Sequence, residues 1–109
     1  MAYTYKVLGQ SALSATTNTD VYTVGAGKQA IISTMTITNR SASAGQYRIA
    51  VRPNGATLAN EHYIAYDVVV LGNDTTALTL GITLGATDVV TVYGSTADLS
   101  VGLFGSEIS

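Results

Sequence analysis

The sequence predicts an all-β fold: a single antiparallel β-sandwich, jelly-roll-like, of about eight strands. Three observations predict it. Apolar and polar side chains alternate with a period of two, clusters of Gly, Asn, Asp and Pro recur between the alternating runs, and no stretch carries a helical stripe. With 109 residues the chain has room for one core, so 1–109 is read as one domain.

The first strand is read over 3–8 and the second over 21–24, where β-branched and aromatic residues gather before Gly25-Ala26-Gly27. Over 30–39 the alternation is almost strict, with Ile31, Met35 and Ile37 on one side and Thr34, Thr36 and Thr38 on the other. Tyr47, Ile49 and Val51 alternate with Arg48, Ala50 and Arg52 in the same way. Further strands are read over 62–70, 76–80, 89–93 and 99–103, the last alternating through Leu99, Val101 and Leu103. Between them lie Ser43-Ala44-Gly45, Pro53-Asn54-Gly55, Gly72-Asn73-Asp74, Gly85-Ala86-Thr87-Asp88 and Gly94-Ser95. Gly and Asn tolerate positive φ and Pro presets φ, so each cluster can reverse the chain. A single helical turn is expected at 57–61, in the longest connection. The spacing fits either a plain sandwich or a jelly roll, and propensity does not choose between them.

Charged residues are 11% of the chain, well under the roughly 25% usual for soluble proteins, and Ser, Thr, Ala and Gly fill the gap. A neutral, hydroxyl-rich surface repels its neighbours weakly, so assembly with other protein is expected. The net charge of −2 lacks the basic excess that phosphate contacts require, and no nucleic-acid partner is expected. Without cysteine there are neither disulfides nor thiolate metal sites. The start MAYTYKVLGQ does not read as a signal peptide, and uncharged stretches fall short of the ~18 apolar residues of a membrane helix. No membrane partner is expected.

No motif points to catalysis, a cofactor or a metal. Gly25-Ala26-Gly27-Lys28 has the letters of a phosphate loop, but Gln29 and a strand follow where Ser or Thr and a helix are needed, so a tight turn is the better reading. His62, the only histidine, stands beside Glu61 without metal-ligand spacing and is read as bordering a loop. A triad of His62, Asp67 and a serine exists on paper only, since no serine sits in a nucleophile elbow. The acids at 20, 67, 74, 88 and 98 are scattered and mostly adjoin turns, where Asp caps the local backbone.

Three of the five cations form the one candidate interaction site. Arg48 and Arg52 share a strand face and Arg40 ends the strand taken as its neighbour, so the three are expected to form a patch. The planar guanidinium pairs bidentately with carboxylates, which suits a protein interface, while a solvated face is the competing reading. The seven tyrosines could stack on sugars, but several fall at alternating core positions, where burial is expected.

Several runs then stand out together. Asp20-Val21-Tyr22-Thr23-Val24-Gly25-Ala26-Gly27-Lys28-Gln29-Ala30, Thr36-Ile37-Thr38-Asn39-Arg40-Ser41, Tyr47-Arg48-Ile49-Ala50-Val51-Arg52-Pro53 and His62-Tyr63-Ile64-Ala65-Tyr66-Asp67 occur in that order. Leu78-Thr79-Leu80-Gly81-Ile82-Thr83-Leu84 and Leu103-Phe104-Gly105-Ser106-Glu107 complete the set. In this order they resemble small β-sandwich virion structural proteins of tailed bacteriophages, over nearly the whole chain. Gly25 departs from the pattern, since such proteins often have a proline there. The resemblance implies a virion component, made in the host cytoplasm, with no catalytic residues. The leading expectation is a capsid decoration, or cement, protein that binds the major capsid protein and itself, with a trimer favoured over a dimer. A neck, tail or baseplate and fibre adaptor is the alternative, and a carbohydrate-binding attachment module the second.

Overall fold

The computed structural model describes residues 2–109. Nine strands follow in order: β1 (Tyr3–Ala12), β2 (Thr17–Thr23), β3 (Gln29–Asn39), β4 (Gly45–Arg52), β5 (Tyr63–Val70), β6 (Thr75–Leu78), β7 (Ile82–Leu84), β8 (Val89–Gly94) and β9 (Leu99–Ile108). Sheet A has the order β1-β9-β3-β6, with β7 also on β3, and sheet B the order β2-β8-β4-β5. All pairings between strands are antiparallel.

The pairing resolves the topology that propensity left open. β1 lies on β9, β2 on β8, β3 on β6 and β7, and β4 on β5, which is one long ribbon folded back on itself. Rolling that ribbon adds β9 to β3 and β8 to β4, and the result is a jelly roll. Its core lies between the sheets, where Ile32, Met35, Ile37, Tyr47, Ile49, Val90, Val92, Leu99 and Leu103 are all buried.

The expected turns form where Gly, Asn and Asp supply them. Lys28 N–H donates to the Gly25 carbonyl across a turn whose third residue, Gly27, has φ +76. Asp88 accepts from the Asn54 and Gly85 N–H groups, and Asp74 from Thr75 N–H, as turn carboxylates do. The helical turn expected at 57–61 is instead a pair of short 3-10 turns, Pro53–Gly55 and Asn60–His62.

The sequence reading needs correction in four places. First, β1, β2 and β9 are longer than expected, because residues of mixed character join ladders whose partners are already in place. Second, the run read over 76–80 ends at Leu78, and Ile82–Leu84 forms a separate strand. Third, a bulge between Ile32 and Thr34 reverses the facing of the start of β3, so Ile32 is buried while Ile31 is 38% exposed. Fourth, of the seven tyrosines only Tyr22 and Tyr47 lie in the core, whereas Tyr3, Tyr5 and Tyr66 are exposed.

Candidate interaction surfaces

The outer face of sheet B carries the arginines. Arg48 and Arg52 do share it, four residues apart on either side of Ala50. Arg40 does not join them as expected, because its strand, β3, lies in the other sheet. Its Nη2 donates to the Ala97 carbonyl at 2.8 Å in the turn before β9.

Both sheet-B arginines have carboxylates of the chain itself. Arg48 donates from Nε to Asp67 Oδ1 at 2.6 Å and from Nη2 to Oδ2 at 3.4 Å. Its guanidinium lies 4.2 Å from the Tyr66 ring centroid and 4.4 Å from that of Tyr93, with Tyr63 edge-on to Tyr66. Asp67 reaches Arg48 because β5 is bulged beside β4 and Asp67 itself has φ +52. Arg52 donates from Nη2 to Asp20, from Nε to the Thr91 hydroxyl and from Nη1 to the Ala56 carbonyl at 2.9 Å, pinning the Pro53–Gly55 turn to the sheet. The Thr91 hydroxyl in turn donates to Asp20. The arginines are therefore neutralised staples rather than open cations, and the Tyr66 and Tyr93 faces turned toward Arg48 are not open to a sugar.

His62 and Asp67, joined on paper in a triad, have separate partners. His62 Nδ1 accepts the Ala59 N–H at 3.0 Å within its turn, while Asp67 is held by Arg48. Among the described residues no three His, Cys, Asp or Glu side chains gather. Shallow clefts of about 310 and 380 Å³ lie near the end of β9, one along Gln29–Ile31 and Thr83–Gly85, the other along Gly27–Gln29.

That end of the sandwich holds a polar clasp that the sequence reading missed. Glu107 lies between the sheets, accepting from the Tyr22 hydroxyl of sheet B at 2.6 Å and from Lys6 Nζ of β1 at 2.9 Å. These two hydrogen bonds hold the Glu107 carboxyl below its ordinary range, Tyr22 more than Lys6. Burial, and then Glu107, push the Tyr22 phenol up, and burial alone raises Tyr47.

The pH dependence follows in sign. A carboxyl depressed in the fold contributes stability above its unfolded value, and that contribution is lost as pH falls through the folded value. A phenol raised in the fold costs stability once pH passes the ordinary phenol value near 10. Melting temperature is therefore expected to be flat from about pH 5 to 9 and to fall on both sides. Glu107→Gln should flatten the acid limb and cost about 1–2 kcal/mol at neutral pH. An acid limb unchanged in that variant would remove Glu107 from the account.

Most of the exposed large apolar side chains fall in two zones, with Leu80 apart from them between β6 and β7. One is the β5 edge, with Ile64, Tyr66, Val69 and Leu71, and the other is the outer side of β1 and β3, with Tyr3, Tyr5, Val7 and Ile31. No protein family, curated protein or solved structure matches the chain.

Proposed function

We propose that the chain is a structural part of a tailed-phage virion, a decoration protein that braces the expanded head by binding across the joints of the major capsid protein. The observation that carries this reading is the pairing of two exposed apolar zones with a surface whose arginines are satisfied internally. Such a surface offers contact area. The virion assignment comes from the ordered runs that resemble phage structural proteins, and a jelly roll, an architecture common in capsids, suits it. A part that binds the assembled lattice and not free subunits stabilises the lattice by mass action.

Because Arg48 and Arg52 are neutralised, the head interface rests on the exposed apolar β5 edge and not on a basic patch. Heads lacking the protein should form but rupture at lower temperature or after osmotic shock. Adding the purified protein back should restore them, and Val69→Lys on the β5 edge should weaken that rescue about tenfold or more. Heads equally robust with and without the protein would overturn the cement reading.

A further inference from the structure

We propose that the outer face of sheet A, from β1 through β9 and β3 to the β6 and β7 segments, is where a second copy of this chain stacks face to face about a two-fold axis. The first ground is an inverted pattern. Residues paired across a ladder point to the same side, and Tyr3 pairs with Ile108, Tyr5 with Ser106 and Val7 with Phe104. Ile31 of β3 is opposite the same Ser106, so Tyr5, Ser106 and Ile31 form one row across three strands. These apolar side chains lie outside, with Tyr5 85% exposed, while Glu107 of β9 turns inward to Tyr22 and is met there by the half-exposed Lys6 of β1. A sheet that turns its one carboxylate inward and its aromatics outward is suited to having that outer face covered.

The second ground is charge. Strands β1, β3, β6, β7 and β9 contain only two charged residues, Lys6 and Glu107, and these pair with each other. Apart from the side chains named, the outward positions are Gln, Ser, Thr, Ala and Gly. The other ion pairs, Arg48 with Asp67 and Arg52 with Asp20, stand on sheet B. When a neutral face meets its own copy, neutrality on one side guarantees it on the other, and no charge is stripped of water without a partner. A different protein gives no such guarantee.

The third ground is area. β9 is 10 residues long, and at ~3.3 Å per residue across β1, β9, β3 and the β6 and β7 segments beside β3, ~4.8 Å apart, the face measures roughly 33 by 19 Å, or about 600 Å². Two such faces bury about 1,200 Å², the lower bound of a standard stable interface. Isologous contact then follows, because the same patch is used twice.

The pairing goes beyond the head-binding reading and does not rest on it. The test is sedimentation velocity on the purified chain over a range of concentrations, beside Tyr5→Lys/Ile31→Lys, Tyr5→Ser and, as control, Val69→Lys. The wild type and the control should run as two copies. The double variant should dissociate at least about tenfold more readily with its circular dichroism unchanged. Tyr5→Ser, at a side chain with little part in folding, should shift the same equilibrium if the double variant misfolds. A wild type that stays monomeric, a trimer, or a dimer indifferent to Tyr5 would overturn the pairing. A monomer that still decorates heads would overturn the pairing alone, whereas a sheet-A dimer that binds no heads would support it and count against the cement reading.

Discussion

Ile37→Ala is expected to lower stability by about 3–4 kcal/mol, the largest effect of any single side-chain truncation argued for this fold. Ile37 is fully buried at the centre of β3, opposite Val101 of β9 and Thr76 of β6, so the lost methyl groups leave a void that flanking strands on both sides cannot close. For a chain of this length that loss lowers the melting temperature by more than about 10 °C. Thr36→Ala, one residue away and facing outward opposite Gly102, should cost less than about 1 kcal/mol. Thermal melts of the two variants, followed by circular dichroism, give the comparison. Equal losses would mean that the facing of β3 beyond its bulge is wrong by one residue.

Gly105→Ala is expected to cost about 3 kcal/mol for a different reason. Gly105 sits in β9 between Lys6 of β1 and Ile32 of β3, and a Cβ there would overlap the carbonyl oxygen of Ile31. The obstacle is backbone, not a side chain able to swing aside, and β9 is paired on both edges, so the strands must separate. Gly25→Ala meets only the Lys28 side chain at an ordinary 3.4 Å and should be nearly neutral. A stable Gly105→Ala protein with an intact spectrum would contradict the close approach of β9 and β3 at this point.

The strands were legible where alternation is strict and the burial simple. From Met35 to Asn39 the inward and outward sets follow the sequence pattern because no bulge intervenes. Ile31 was misplaced because an extra residue in a ladder leaves no mark in the apolar pattern, and the same holds for the bulges after Val7 in β1 and Asp20 in β2. The end of β9, Phe104-Gly105-Ser106-Glu107-Ile108, did not read as half-buried strand because its polar side chain turns inward and its apolar ones outward.

The arginine patch illustrates the opposite difficulty. Four residues apart on one strand, Arg48 and Arg52 fall on one face, as the alternation indicates, but their partners come from β5 and β2, at far separations in sequence. Asp67 faces Arg48 only through a bulge and a positive φ, neither of which composition or spacing encodes. Arg40 was misgrouped because β3 and β4, adjacent in sequence, belong to different sheets, a consequence of the jelly-roll winding.

The central claim, that this chain works by covering the joints of an assembled phage head, is tested most directly by the density of purified particles, with its copies located and counted. The account predicts many copies on the outside of the shell, at the junctions of capsid subunits, with the β5 edge against the capsid protein. A few copies confined to the neck, tail or baseplate, or none in the particle, would contradict it.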